Sequence, residues 1–561
     1  MMSESFSKEQ DVENTAISMS EQGRSATPEA SRTGVASHER HIKRGLTSRH
    51  GQLIAWGGTV GTGLFITTGR TLAIGGPAFL VGSYVILAIA TYLILVLVTE
   101  MAMYLPVRGA SMSFYGGRFV SKSLGFTMGW LYVYSFAIFV PFELTASALV
   151  VGFWNTGVSN GVWITIFLLP LVGLNLLPVR FYGEAEFFFA GIKLATIIGL
   201  LVLSFILFWG GGPNHVRLGF HYWMHPGATK TQILEGDAGR LIAAIATIIA
   251  SALPFTFTPE MVVITSGELQ SPRRNLPKVS LNFNWRLVVF YVGSVVGISV
   301  VCPHNAIAFG GSTGASSPWV VAIRNAGIQS LPSVINTVII IAAWSTGNAF
   351  LYLSSRCLYS LAVEGHAPKI FTKCTAAGTP IYAVGATSLP TLLAYLNLNS
   401  AAANVFNWLL NLVNTAGFIS WVCCGIIYIR FHQARKEQGD MQSTTKTTLK
   451  EISACATAVF YVILTLLNGF TIFFPSKWST ADFLSAYIGL PIFFAVYLGH
   501  RFICRQDPWI IPLKEVKLQA NGAELNEETE DELEETTEST GLPGTWAQRL
   551  RRIARPQQHA E

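Results

Sequence analysis

The sequence predicts an all-α membrane protein with about twelve transmembrane helices. Half of its 561 residues are hydrophobic (51%). Only 12% are charged, whereas soluble proteins carry about 25% charged residues. The mean hydropathy is +0.44, and polar residues concentrate at the two ends and in short connections between apolar runs. This pattern indicates that the middle of the chain is solvated by lipid.

Three regions follow from the composition. Residues 1–45 are polar and poor in aromatic side chains, which predicts a disordered cytoplasmic tail. Residues 46–505 hold the apolar segments and form the predicted twelve-helix membrane core. Residues 506–561 form a predicted cytoplasmic tail, acidic at first and then basic and amphipathic. The N-terminus has no apolar stretch typical of a cleavable signal peptide, so the first membrane helix is expected to direct insertion.

The core contains apolar segments long enough to cross roughly 30 Å of hydrocarbon as helices. A helix is expected at each one because lipid offers no partner for backbone polar groups. The predicted spans are 51–71, 78–104, 125–153, 160–178, 184–209, 241–266, 284–303, 331–361, 381–398, 402–430, 451–474 and 480–503.

The distribution of lysine and arginine predicts the orientation. Cytoplasmic connections carry the excess of these residues, whereas the connection 155–161 has none. The basic connections contain Arg40, Lys43, Arg44 and Arg49; Arg108, Arg118 and Lys122; Arg273, Arg274 and Lys278; Lys369 and Lys373; and Arg430, Arg435, Lys436, Lys446 and Lys450. Both termini are therefore predicted to be cytoplasmic.

Several function classes are excluded by the same composition. The net charge of +6 is scattered over loops, without the basic face that nucleic-acid binding requires. The seven cysteines show no metal-ligand spacing, so neither a metal site nor a disulfide framework is expected. No catalytic motif with partner residues is present. We therefore expect no nucleic acid, metal or cofactor, and not an enzyme.

Two spans differ from the others in their glycine and proline content. The first contains GGTVGTGLFITTG (57–69) and the sixth contains ALPFTFTPEMVVITSGE (252–268). Glycine and proline weaken a helix and leave backbone groups free. In transporters built from inverted repeats, paired interruptions of this kind form the substrate site. Gly61, Thr62 and Gly63 are thus candidates for binding a zwitterion, the alternative being close helix packing at the glycines.

Charged residues at bilayer depth are the second signal. Such a charge costs at least about 2.5 kcal/mol, so it usually faces a site or a partner. Glu143, Lys193 and Glu260 fall inside the third, fifth and sixth spans. Lys193 is a fixed or titrating cation in one interpretation and a structural ammonium in the other. Glu260 binds the substrate ammonium or a proton, or alternatively ties the broken helix together.

Three further acidic residues are interpreted as peripheral. Glu100 lies near the inner end of the second span, where a helix-end residue close to water is expected. Glu184 and Glu186 lie at the start of the fifth span and are predicted to sit at the cytoplasmic interface.

A family resemblance rests on a series of ordered motifs. These are GTGLF, RGASMSFYGGRFVSKSLGFTMGW, FYGEAEFFFAGIK, SPRRNLPKV, SPWVVAIRNAGI, SSRCLYSLAVEGHAPKIF and VFNWLLNLVNTAGFISW. The chain resembles, over roughly residues 40–505, the fungal amino acid permeases of the amino acid–polyamine–organocation superfamily. The stretches GVWITIFL, GGGPNHVRLGFHYWMHPGA and YIGLPIFF make it similar to the dicarboxylic amino acid permease branch.

The resemblance implies a LeuT-type fold, a 5+5 inverted repeat with broken helices 1 and 6. It also implies a multi-pass protein of the plasma membrane that takes up amino acids with protons. The residues that it assigns to substrate binding are Gly61, Thr62, Gly63, Glu143, Phe257, Thr258 and Glu260, and those it assigns to proton coupling are Lys193 and Glu260.

Two departures from the family pattern bear on the substrate. The family usually has a glycine where this chain has Thr258, which adds bulk beside the expected site. Glu143 matches the glutamate of general amino acid permeases, whereas the dicarboxylic branch has an amide. A carboxylate at this place repels acidic substrates and suits neutral or cationic ones. Acidic specificity therefore stands beside the alternative of neutral or cationic amino acids.

Uptake also has an alternative of another class, a non-transporting amino acid sensor. The expected partners are an amino acid substrate, protons and membrane lipids, with trafficking or ubiquitination machinery at the tails, for example at Lys8 or Lys43.

Overall fold

The computed structural model describes most of the predicted core. The described residues are 61–105, 111–155, 157–266, 276, 280, 285, 287–306, 317–398, 402–440 and 445–518. The predicted N-terminal tail lies outside them, as does the predicted C-terminal tail from residue 519 onwards.

Helices make up the regular structure of this part of the chain. They are α1 (Gly63–Tyr104), α2 (Met112–Phe119), α3 (Lys122–Val151), α4 (Asn160–Leu176), α5 (Val179–Phe208), α6 (Gly236–Ala250), α7 (Thr258–Ser266), α8 (Val288–Val301), α9 (Pro318–Asn325), α10 (Leu331–Val363), α11 (Ile381–Leu398), α12 (Ala402–Glu437), α13 (Thr445–Leu467), α14 (Thr480–Tyr487) and α15 (Gly489–Ile503).

The predicted apolar spans correspond to these helices. In the described part, eight helices are long and apolar enough to cross a membrane, or nine if the bent pair α14 and α15 counts as one span. Helices α4 and α8, at the fourth and seventh predicted spans, are apolar but shorter. The all-helical fold class is thus confirmed.

The first two predicted spans run into one another without a loop. The backbone of Gly76 adopts φ +81° and ψ 177° inside α1, a region that is essentially open to glycine alone. Pro77 follows directly and suits the first turn of a helix because that turn needs no N–H. The chain therefore turns at Gly76, and the second span begins at once.

Burial distinguishes central helices from peripheral ones. In the most apolar stretch of α3, 83% of the residues are buried inside the protein, against 28% in α5. Helix α3 packs along α10 and α12, so it lies at the centre of the bundle. The outer surface of α5 exposes large side chains such as Phe181, Phe188 and Phe205. An apolar surface of this extent fits contact with lipid.

The first residues after α15 pack back onto the core. Ile511 donates its backbone N–H to the carbonyl of Val120 at 2.9 Å. Gln438, directly after α12, donates to the carbonyls of Leu513 and Val516 at 2.9 and 2.8 Å. The start of the predicted C-terminal tail is therefore attached to the ends of α3 and α12.

Candidate functional site

The sixth span is interrupted between α6 and α7. A short 3-10 turn, Leu253–Phe255, follows α6, and Phe257 has φ +61°. Pro254 has no N–H, so it cannot donate to the carbonyl of Ala250 as a helix would require. Pro259 lies in the first turn of α7, where proline is tolerated. The predicted break in this span is present, and its prolines explain it.

The first span is described from Gly61 onwards, and the upstream part of its predicted interruption lies outside the described residues. From Gly63 to Thr67 the backbone forms a π-helical turn before α1 continues. Thr67 donates its hydroxyl to the carbonyl of Gly63 within this turn. Ser317, which precedes α9, donates to the carbonyl of Phe65 at 2.8 Å. A wide turn releases backbone groups that side chains then satisfy.

The two unusual segments touch each other. A Cβ placed on Gly63 would lie 3.0 Å from Cγ and 3.2 Å from Cα of Pro254. Tyr291 of α8 donates its hydroxyl to the carbonyl of Pro254 at 2.9 Å. Glycine at position 63 therefore allows the broken segment of the sixth span to lie directly against the first span, closer than a side chain would comfortably permit.

One face of α3 lies along this junction. Tyr132, Phe136, Phe139 and Glu143 follow one another at three or four residues, a spacing that places them on one side of a helix. The ring of Phe257 meets those of Phe136, Tyr132 and Phe139 edge to face, at centroid distances of 5.2, 6.0 and 6.2 Å. This face thus contributes an aromatic wall and then, one turn further on, a carboxylate.

Glu143 lies against the start of the first span. A Cβ on Gly61 would approach its Oε1 to 3.0 Å and the Oγ1 of Thr346 to 2.8 Å. Thr62 and Lys193 both interact electrostatically with the carboxyl group of Glu143. On the other side, a Cβ on Gly347 would lie 3.3 Å from Cβ of Glu143. Glu143 is buried, and within the described part of the chain its Oε2 has no hydrogen-bond partner.

Lys193 extends the same cluster. Its Nζ donates to Oγ1 of Thr346 at 3.2 Å and lies 3.9 Å from Oε1 of Glu186. Ser345 donates to both carboxylate oxygens of Glu186, at 3.0 and 2.9 Å. One ammonium and two carboxylates therefore lie in one buried cluster around the start of the first span.

The interfacial position predicted for Glu186 is wrong. Its side chain is fully buried, with 0% exposure, because it lies on the same face of α5 as Lys193, two helical turns away, and α10 covers that face. Glu184, in contrast, is exposed on the surface of α5.

Glu260 points toward another helix. Its carboxylate accepts from the hydroxyl of Ser420 at 2.6 Å and from Nε1 of Trp421 at 3.3 Å. The Ser420 hydroxyl also bonds that of Tyr132 at 2.9 Å. This arrangement joins α7 to α12 and α3 through side-chain donors of α12.

Thr258 begins α7 and is buried, with 1% exposure. Its hydroxyl has no partner among the described residues. A buried polar group without a partner is uncommon and calls for an explanation. It lies at a helix N-terminus, where backbone N–H groups favour an anion.

Glu100 behaves as expected from its place near a helix end. Its carboxylate accepts from Lys450 at 2.8 Å and from the hydroxyl of Tyr428 at 2.9 Å. It links α1 to α12 and α13 away from the cluster described above. Among the described residues there is no group of three metal-ligating side chains.

The structure therefore joins most of the predicted site residues. Gly61, Thr62, Glu143 and Lys193 meet in the charged cluster. Gly63 and Phe257 belong to the adjoining junction of the two unusual spans. Sequence reasoning missed Glu186, although its spacing of seven residues from Lys193 is the signal that both share a helix face.

Comparisons with known proteins identify the family of this chain. The amino acid permease family matches residues 50–509. The proline-specific permease of Emericella nidulans is 42% identical over 515 residues, covering 91% of this chain and 92% of the relative. The proline-specific permease of Saccharomyces cerevisiae is 43% identical, covering 90% and 83%. The dicarboxylic amino acid permease of Saccharomyces cerevisiae is 36% identical, covering 82% and 77%.

The fold has a counterpart among solved structures. A manganese transporter from Eremococcus coleocola superposes with a TM-score of 0.50 at 13% identity, covering 84% of this chain and 98% of that one. The predicted family is confirmed, although two proline-specific permeases are more similar to this chain than the dicarboxylic permease is. This protein belongs to the amino acid permease family.

Proposed function

We propose that this protein takes up small neutral amino acids, with proline the first candidate, together with a proton. The observation that carries the proposal is the cluster of Glu143, Glu186 and Lys193 at the start of the first span. The identity of 42–43% to two proline-specific permeases supports the choice of substrate.

The substrate carboxylate is proposed to bind the two helix starts. Backbone N–H groups at the start of a helix point toward a bound anion, and the helix dipole favours its charge. The first span offers such groups beyond Gly61, and α7 offers those near Thr258. The Thr258 hydroxyl is a further donor, since it has no partner among the described residues.

The ammonium and the side chain of the substrate are proposed to face α3. Glu143 supplies an acceptor oxygen for the ammonium, which in proline is a secondary one, and it does so in both protonation states. Phe136, Phe139 and Phe257 supply an apolar wall. An acidic side chain would add an uncompensated negative charge in a medium of low dielectric constant, where burying a charge is costly. Neutral side chains therefore fit better than acidic ones.

Proton coupling is proposed from the charge of the cluster. With all groups ionised, two carboxylates and one ammonium leave one negative charge buried without compensation. Such a charge is costly in a membrane protein, so binding one proton neutralises the cluster. Glu143 is the proposed proton site because Glu186 is already held by Ser345 and Lys193. Glu260, held by α12, remains a second candidate, tested by Glu260→Gln.

Alternating access then couples the movement of the amino acid to that of the proton. The repeats rock around the bound amino acid, and each proton that moves down a ~100 mV potential contributes about 2.3 kcal/mol. This energy corresponds to roughly fifty-fold accumulation. We place the protein in the plasma membrane with both termini in the cytoplasm, which the loop lysines and arginines support.

Uptake of radiolabelled proline into yeast that lacks its own permeases tests the function. We expect saturable uptake that does not need sodium and collapses with a protonophore. Competition by all twenty amino acids then gives the specificity. Effective competition by aspartate and glutamate alone would favour the acidic alternative, and binding without any uptake would favour a sensor.

The Glu143→Gln variant tests the proton site. The amide keeps the size of the side chain but carries no charge, so exchange of internal for external proline is expected to persist. Accumulation against a gradient and the dependence of uptake on pH are expected to be lost. Glu235→Gln, at an exposed position before α6, is the matched control. Unchanged accumulation in Glu143→Gln would remove Glu143 from the mechanism.

The Thr258→Val variant tests the carboxylate site. Valine keeps the shape and removes the hydroxyl, and loss of a hydrogen bond to a charged group is worth about 1.5–3 kcal/mol. The uptake KM is therefore expected to rise about tenfold or more. Thr258→Ser, which keeps the hydroxyl, is expected to retain a KM close to that of the original protein.

A further inference from the structure

A second cavity lies apart from the charged cluster. It has a volume of about 670 Å³ and is lined by the end of the first span, the connection before α6, the start of α12 and the connection between α13 and α14. In the predicted orientation, all of these lie on the outer side of the membrane. None of the substrate residues predicted from the sequence lines it.

One part of the cavity wall is cationic. Arg70, Lys230 and Lys477 all line it. The Nη1 of Arg70 donates to Oδ1 of Asn407 at 2.5 Å, and Nζ of Lys230 donates to the carbonyl of Ala73 at 2.9 Å. An arginine has five N–H donors and a lysine three, so both side chains keep donors for a further acceptor.

Acceptors line another part of the wall. Asp482 accepts a hydrogen bond from Nε1 of Trp408 at 2.7 Å. Its negative charge also attracts the guanidinium group of Arg70. Asn414 and Asn468 also line the cavity and are buried, with 1% and 8% exposure. The Oδ1 atoms of both have no partner among the described residues.

The orientation of these two amides follows from their other contacts. Nδ2 of Asn414 donates to the carbonyl of Ile249 at 3.3 Å, and Nδ2 of Asn468 donates to the carbonyl of Asn411 at 3.3 Å. A carbonyl only accepts, so the amide nitrogen must face it in each case. The oxygens of both amides are thus buried acceptors behind the cavity wall, without a partner among the described residues.

A thin layer separates the cavity from the break in the sixth span. The cavity reaches Ala250, the last residue of α6, and the break begins at the next residue. Asn414 donates to the carbonyl of Ile249 near the end of α6. Gly417, one turn further along α12, packs on Thr256, because a Cβ added to Gly417 would lie 2.3 Å from Cγ2 of Thr256. A ligand in the cavity is therefore adjacent to the entrance of the proposed transport site.

We propose that this cavity is an external loading site for the zwitterionic amino acid. The substrate carboxylate binds Arg70 and Lys477, and its ammonium binds Asp482, all of which line the cavity. The volume lies within the range of small-molecule sites, so an amino acid fits together with water. This inference rests on the proposed function, because the ligand is the transported amino acid.

Kinetics of proline uptake in permease-deficient yeast provide the first test. Arg70→Gln is expected to raise the KM about fivefold and Lys477→Gln about twofold, because each removes a charge that attracts the carboxylate. Vmax is expected to change by less than about twofold, since the translocation site is intact. Lys477 is exposed, so its replacement does not endanger folding. Arg240→Gln, an exposed position paired with Asp237 outside the cavity, is the control and keeps the KM.

Equilibrium binding of labelled proline to the purified, full-length protein provides the second test. We expect two proline molecules per protein in the original. Arg70→Gln is expected to weaken the binding of the outer one about fivefold, whereas Thr258→Val leaves the affinity of the outer site unchanged. A single proline per protein in the original, or unchanged KM values in both Arg70→Gln and Lys477→Gln at normal surface expression, would overturn the loading site.

The two tests separate this inference from the proposed function. If the original protein shows no uptake of any amino acid, the proposed function fails. In that case, proline binding that Arg70→Gln weakens still supports the outer site, and absence of binding refutes it.

Discussion

Replacing Gly417 by alanine tests whether α12 closes directly on the break in the sixth span. The added Cβ would lie 2.3 Å from Cγ2 of Thr256 and 3.5 Å from its Cβ and Oγ1. Carbon atoms in ordinary contact lie about 3.5–4.0 Å apart. The methyl group of Thr256 must therefore move by at least about 1.2 Å, and overpacking of this kind costs about 1–3 kcal/mol.

The clash concerns one methyl group, so a second substitution relieves it. Thr256→Ser removes Cγ2 and keeps the hydroxyl, which donates to the carbonyl of Ala252 at 3.1 Å. The remaining contacts of the new Cβ are at ordinary distances. We expect Gly417→Ala to lower the melting temperature and the rate of proline uptake. The double variant Gly417→Ala/Thr256→Ser is expected to recover most of both.

The assay is a double-mutant cycle, with thermal unfolding of the purified protein and uptake in permease-deficient yeast as its two readouts. The expected coupling between the two sites is about 1 kcal/mol or more. Gly199→Ala is the matched control, because nothing lies within 4 Å of its added Cβ. The reasoning fails if Gly417→Ala is as stable and active as this control, or if the serine brings no recovery.

Three further predictions concern single contacts. Tyr291→Phe leaves the carbonyl of Pro254 without its 2.9 Å donor and should destabilise the protein by about 1 kcal/mol, measured as a lower melting temperature that Tyr291→Trp does not restore. Ser420→Ala removes the 2.6 Å bond to Glu260, and uptake should fall while surface expression stays normal; equal uptake would show that this bond does not position α7. Gly76→Ala forces a side chain to φ +81°, which costs about 1–3 kcal/mol, and unchanged thermal stability would contradict the turn.

The sequence predicted the helices well because lipid leaves few choices. A long apolar run has to satisfy its backbone internally, so length and hydropathy were enough to place most spans. The break in the sixth span was predictable for the same local reason, since Pro254 cannot donate a helical hydrogen bond. The abrupt turn at Gly76 was not predicted because it depends on one backbone conformation.

The charged cluster was only partly predictable. Glu143 and Lys193 attract attention because a charge in an apolar run is rare. Glu186 lies near the beginning of its helix, where the sequence alone also fits an interfacial position. Its burial depends on Ser345, which is 159 residues away. Contacts of this separation follow from the packing of α5 against α10, which hydropathy does not reveal.

Ser345, Thr346 and Gly347 are consecutive on α10, and each contacts a different part of the cluster. Successive residues of a helix point about 100° apart. This single turn of α10 therefore contacts Glu186 through Ser345, Lys193 through Thr346 and Glu143 through Gly347. A small rotation or sliding of this helix would alter all three contacts in one movement. In the proposed mechanism, a change at the Glu143 proton site and a change at the Lys193–Glu186 pair would therefore occur together.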